Sequence, residues 1–190
     1  MNTNKQLRNL VLLAVLAALI FLMGQTPLGL IPLGFCNVTI LVIPVAVGTL
    51  YMGWKNGLVL GAAFAATSLL SALTKPSALV ATLMGASPVL AIVMTVVPRL
   101  CIPLVIWGVS KLLCRMQRPL AAAIAAACGS LTNTVLYLGL MLLFYILCGI
   151  DNAKVLTTIA AVAGGAGPLE ALAAAIITPP ILTALGKIKK

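Results

Sequence analysis

Arg99 and Glu170 dominate the chemistry open to this chain. Arg99 sits in Val96-Val97-Pro98-Arg99-Leu100-Cys101-Ile102 and Glu170 in Gly167-Pro168-Leu169-Glu170-Ala171-Leu172, both inside apolar runs. The sequence has two acids, Asp151 and Glu170, and no histidine. A charge at the centre of a membrane-spanning helix costs roughly 2.5–3.5 kcal/mol on insertion scales, so it is kept where it has a partner or a task. A guanidinium in such a place is suited to gripping a carboxylate through two parallel N–H···O bonds. The alternative is an ion pair with Glu170, and the two readings are compatible: a resting pair can open when an anionic ligand arrives. A third polar feature is Thr132-Asn133-Thr134 in Gly129-Ser130-Leu131-Thr132-Asn133-Thr134-Val135-Leu136-Tyr137. An Asn amide both donates and accepts, which suits hydrogen bonding to the body of a ligand; it could instead join two helices.

The inventory argues against catalysis. A membrane enzyme such as a lipid transferase needs a metal-holding acid cluster or a nucleophile with its base, and the two acids and absent histidine supply neither. Cys36, Cys101, Cys114, Cys128 and Cys148 are odd in number and form no C-x-x-C pair, so a metal site or disulfide framework has no support. They read as small apolar filler. No G-x-x-x-x-G-K-[ST] phosphate loop is present. The chain is expected to carry no catalytic residue, no metal and no cofactor.

The elements that must position these groups are membrane helices. The sequence is 63% hydrophobic and 7% charged, against about half and about a quarter in soluble domains, and its mean hydropathy is +1.23. The net charge of +10 is spread over the ends of apolar runs and does not form a nucleic-acid face. Met1–Arg8 and the apolar run after it resemble a signal peptide, but no clear A-x-A cleavage site precedes a soluble region, so this reads as a retained first span. Prolines, glycines and charges divide the chain into six spans near 7–24, 38–52, 58–73, 87–113, 119–148 and 155–185, each to be weighed against the about 20 apolar residues a crossing helix needs. The expectation is an all-α integral membrane protein, one domain over 1–190. With the N-terminus in the cytoplasm, Lys5, Arg8, Lys55, Lys111, Arg115, Arg118, Lys187, Lys189 and Lys190 fall inside, and only Lys75 and Lys154 outside. The positive-inside rule then puts both termini in the cytoplasm. No convincing internal repeat supports an inverted-repeat transporter.

Depth follows from residue counts. Arg99 is twelve residues before Lys111, Asn133 fourteen after Pro119 and Glu170 seventeen before Lys187, or roughly 18, 21 and 25 Å from the cytoplasmic ends at 1.5 Å per residue. Polar groups at similar depth on three helices suggest one chamber open to the outside. Of the aromatics, Phe21, Phe35, Tyr137, Phe144 and Tyr145 belong near that outer side. Planar ring ligands want several stacking faces; a small, flexible mono-anion suits one Arg and one Asn better.

Two further patterns concern assembly and access. Ala14-Val15-Leu16-Ala17-Ala18 is a small-xxx-small pattern that admits another helix at close range, within the chain or outside it. The loop 25–37, with Pro27-Leu28-Gly29 and Pro32-Leu33-Gly34, favours turn or extended backbone; it is a lid over the chamber or a plain connector.

Taken together, these features resemble the substrate-binding S components of energy-coupling factor (ECF) transporters, the bacterial vitamin importers. The resemblance covers nearly the whole chain. Ala14 and Ala18 are similar to the family's alanine motif, which contacts the coupling subunit, and 25–37 is similar to its gating loop. Ile40-Leu41-Val42-Ile43-Pro44-Val45-Ala46-Val47-Gly48, then Gly53-Trp54-Lys55-Asn56-Gly57 and Gly61, resemble the family's second and third helices. Val97-Pro98-Arg99 and Gly129-Ser130-Leu131-Thr132-Asn133-Thr134 resemble the pantothenate subgroup. The resemblance implies a multi-pass protein of the bacterial plasma membrane that binds a vitamin from outside. It further implies docking on a transmembrane coupling protein with two ATPase subunits, toppling in the bilayer, and inward release. The implied substrate-binding set is Asn37, Arg99, Asn133, Thr134, Tyr137 and Glu170, with Arg99 on a carboxylate and Asn37 closing the lid. Another vitamin or a modified base is the alternative ligand, and a purely structural assembly subunit a further reading.

Overall fold

The computed structural model describes residues 3–26, 30–32, 37–150 and 153–187. Apart from one short hairpin the described chain is helical. α1 spans Thr3–Gln25. Two three-residue strands follow, β1 (Leu30–Pro32) and β2 (Asn37–Thr39). They pair antiparallel, with Leu30 opposite Thr39 and Pro32 opposite Asn37, in the region read as the loop 25–37. β1 rests on α1 and β2 on α8 (Gly167–Lys187).

The second span departs from the sequence expectation. Its helix, α2, covers only Val42–Met52, roughly 16 Å at 1.5 Å per residue, about half of a hydrocarbon core of roughly 30 Å. Pro44 supplies the reason. It stands in the first turn, where its missing N–H is harmless. One more turn upstream would need that N–H for the Ile40 carbonyl and would drive the ring into it. α2 is nonetheless a core element, with Val42 through Thr49 all buried. A single residue, Gly53, separates it from α3 (Trp54–Thr74); its φ of +93° is open to glycine and strained for other residues.

Lys75 ends α3, and Pro76 after it disfavours helical backbone at Lys75. A short helix not foreseen in the sequence, α4 (Ala78–Ala86), comes next. α5 (Pro88–Leu112) and α6 (Arg118–Leu147) each open with proline in the first turn, where no helical donor is lost. α6 stops at Gly149, whose φ is +64°, a common helix terminator. The sixth segment is α7 (Ala153–Ala161), a π-helical turn over Val162–Ala166, and α8. Gly164 and Gly165 weaken the helix here, and Pro168 cannot donate to the Gly164 carbonyl. The Gly167 N–H donates to the Val162 carbonyl five residues back.

Five of these segments are long and apolar enough to cross a membrane: Gln6–Gln25, Trp54–Thr74, Pro88–Leu112, Arg118–Leu147 and Val155–Gly186. Their outward faces are apolar too: Leu10, Val135 and Ile176 are each more than 60% exposed. Apolar surface on the outside as well as the inside is the pattern of a helix bundle in lipid. One core joins α1, α2, α3, α5, α6 and α8 around Ile20, Val45, Leu60, Phe64, Ile102 and Ala126. A second, around Leu83, Met94, Met141 and Tyr145, ties α4 and the start of α5 to the far end of α6.

Candidate substrate site

α6 is the organising element. It packs most extensively against α5 on one side and α8 on the other. Ser130, Asn133, Thr134 and Tyr137 stand at positions i, i+3, i+4 and i+7, so they form one stripe of this helix. Ser130 and Asn133 are buried, 1% and 5% exposed.

Arg99 faces this region from the middle of α5. It is 7% exposed. Its guanidinium carbon lies 4.6 Å from the Tyr137 ring centroid and 5.5 Å from that of Phe64 on α3. Both rings are within the about 6 Å at which an aromatic face attracts a cation. Two of its nitrogens, Nε and Nη1, are buried with no hydrogen-bond partner. Any two-pronged grip on a carboxylate uses at least one of these nitrogens. Arg99 and Glu170 therefore form no bidentate pair, although Glu170 is within electrostatic reach. Asn133 Oδ1 and Ser130 Oγ are likewise buried and unpartnered. A buried polar group left this way costs about 1–3 kcal/mol, and more when charged.

Glu170 belongs to the first turn of α8, directly after the π-helical turn. The Thr134 hydroxyl donates to Glu170 Oε2 at 3.3 Å and stands equally far from the Ser130 carbonyl. A hydroxyl has one proton, so the two acceptors share it. The α6 stripe therefore touches Arg99 through Tyr137 and Glu170 through Thr134.

Backbone chemistry places Arg99. Pro98 and Pro103 lie inside α5, and Pro103 cannot donate to the Arg99 carbonyl. α3 closes on that carbonyl at Gly61, where a Cβ would stand 2.9 Å from the oxygen. Close approach of α3 at this glycine is what brings Phe64, three residues on, under the guanidinium.

The structure thus brings together Arg99, Asn133, Thr134, Tyr137 and Glu170. Asn37 is described by its backbone in β2 alone, and Phe35 and Asp151 lie outside the described residues. Phe64 and Ser130 were not singled out in the sequence. Phe64 is ten residues into α3, roughly 15 Å along the axis, and that depth was the available signal. Three aromatics placed near the chamber do not surround Arg99. Phe144 and Tyr145 belong to the second core, where Tyr145 donates to the Leu79 carbonyl at 2.6 Å, and Phe21 is half exposed on α1. Ala14 and Ala18 are both exposed on α1.

Among the described residues no cluster of three or more His, Cys, Asp or Glu could hold a metal. No curated protein matches the chain. The family model for the substrate-specific component of ECF transporters matches residues 8–182. An apolar helical bundle with polar groups converging between its helices agrees with that match, and the chain belongs to this family of substrate-specific ECF components, a transporter subunit and not an enzyme.

Proposed function

We propose that the protein is the pantothenate-binding subunit of a bacterial plasma-membrane importer. The observation that carries this reading is the buried Arg99 with two unpartnered guanidinium nitrogens. A ligand carboxylate gripping Nη2 together with Nε or Nη1 would supply one of the missing acceptors and a counter-charge in direct contact. Pantothenate is a small flexible mono-anion with hydroxyl and amide groups. Its body suits the unpartnered Asn133 and Ser130 oxygens and the carboxylate of Glu170. The loop 25–37 is the lid, and Asn37, the first residue of β2, closes it. The exposed Ala14 and Ala18 dock on the coupling protein, whose two ATPases supply the energy.

Six spans with both termini in the cytoplasm fit this role. The lengths of α2 and of β2, two residues before it, sum to roughly 26 Å, near a full crossing. That arrangement keeps Lys55, Lys111, Arg115 and Arg118 on the cytoplasmic side. The test is a calorimetric vitamin panel on the purified protein, with mass spectrometry of ligand retained through purification. Pantothenate is expected to bind at nanomolar concentration. Tight binding of a different vitamin sinks the assignment.

A further inference from the structure

The chain carries twelve Lys and Arg against two acids, and neither acid can neutralise the basic end of the bundle. Glu170 is at the start of α8, next to Thr134, and Asp151 follows the opposite end of α6 in sequence. Lys55, Lys111, Arg115 and Arg118 cluster where α2, α5 and α8 end and where α3 and α6 begin. Two of them lie against tryptophan: Lys55 Nζ is 5.8 Å from the Trp54 ring centroid and Lys111 Nζ 5.7 Å from that of Trp107. The two indoles are themselves 6.4 Å apart. Paired tryptophans and lysines mark the headgroup level of a bilayer.

Beside this array opens a cavity of about 780 Å³. Leu50, Leu113, Ala122 and Leu182 give it apolar walls, and Arg118, Ser110, Tyr51 and Thr183 supply polar groups. Arg118 is exposed. The cavity therefore joins apolar volume to cationic and hydroxyl groups at the depth where a phospholipid changes from chain to headgroup. Basic pockets between helices at a membrane face are a known form of lipid site.

We propose that this cavity holds one anionic phospholipid. Its phosphate meets Arg118 and an acyl chain lies against Leu113 and Leu182, while the Ser110 and Thr183 hydroxyls, which donate to the Trp107 and Pro179 carbonyls, line the same cavity. Charge complementarity selects the anionic class: a cationic end with no acidic side chain among its described residues gains more from a net negative headgroup than from a zwitterionic one. The proposal is independent of which substrate the chamber takes.

The test uses the full chain, extracted from vesicles of equal phosphatidylglycerol and phosphatidylethanolamine, with retained lipid read by native mass spectrometry. One phosphatidylglycerol per chain is expected, enriched at least fivefold over phosphatidylethanolamine. Arg118→Gln, which removes the charge, and Thr183→Phe, which fills the cavity without changing charge, should each lower that retention at least fivefold. Lys75→Gln, at the other end of the bundle, should leave it unchanged. Equal retention of the two lipids overturns the proposal. So does full retention in both variants, or displacement of the lipid by millimolar inorganic phosphate, which would make this a free-anion site.

Discussion

The guanidinium carbon of Arg99 lies 4.6 Å from the centre of the Tyr137 ring. The ring attracts the cation but accepts none of its hydrogen bonds in the manner of a carboxylate. Arg99 is therefore held in place while two of its donors stay unused. Arg99→Ala should weaken ligand binding by at least about 3 kcal/mol, more than roughly a hundredfold. The ligand-free protein should melt within a few degrees of wild type, because no hydrogen bond of Nε or Nη1 is lost. Calorimetric titration and a ligand-free thermal melt check the two halves. Tyr137→Phe should keep the ring's share of the attraction, and Tyr137→Ala should lose about 0.5–2 kcal/mol of it.

Glu170 is held at 3.3 Å by Thr134. If it accepts a ligand hydroxyl, Glu170→Gln replaces a charged acceptor with a neutral one. Binding should fall by about 1.5 kcal/mol, roughly tenfold. If both residues touch the same ligand, a double-mutant cycle with Arg99→Gln should show non-additive effects. Strict additivity would mean that Glu170 serves only the α6–α8 contact.

Substitutions at the exposed Ala14 and Ala18 should separate binding from transport. Ala14→Leu and Ala18→Leu should leave vitamin affinity within twofold. Co-purification with the coupling protein and cellular uptake should both fall at least roughly tenfold, since a leucine blocks close helix approach. Loss of affinity in these variants would place the two alanines in the fold and not in docking.

Tyr145 is a structural control. Its hydroxyl donates to the Leu79 carbonyl at 2.6 Å and joins α6 to α4. Tyr145→Phe leaves that carbonyl without this donor and should lower stability by about 1–2 kcal/mol. Affinity should not change, as Tyr145 packs in the second core.

Parts of the site were legible in one dimension. Arg99, Asn133 and Glu170 each stand out as polar groups in apolar runs, and counting residues from the flanking charges put them at similar depth. Ser130 shares the Asn133 stripe at a spacing of three, yet a serine among alanines and glycines carries no such signal. Phe64 gave only its depth. The short α2 was hidden because 38–52 carries no charged residue, and hydropathy does not separate a strand–helix segment from a full helix; Pro44 was the clue.

Composition and charge spacing by themselves determined that this is a membrane protein with one cation and one anion set inside apolar runs and an excess of basic residues. Those properties depend on local solvation, which each residue carries with it. Only the tertiary structure decided that Arg99 meets Phe64 and Tyr137 without a two-pronged grip on Glu170, and that Tyr145 turns to α4. Helices apolar on every side carry little periodicity to show which face meets which neighbour. Facing is set by long-range packing, at Gly61 against the Arg99 carbonyl and at the π-helical turn that delivers Glu170 to Thr134.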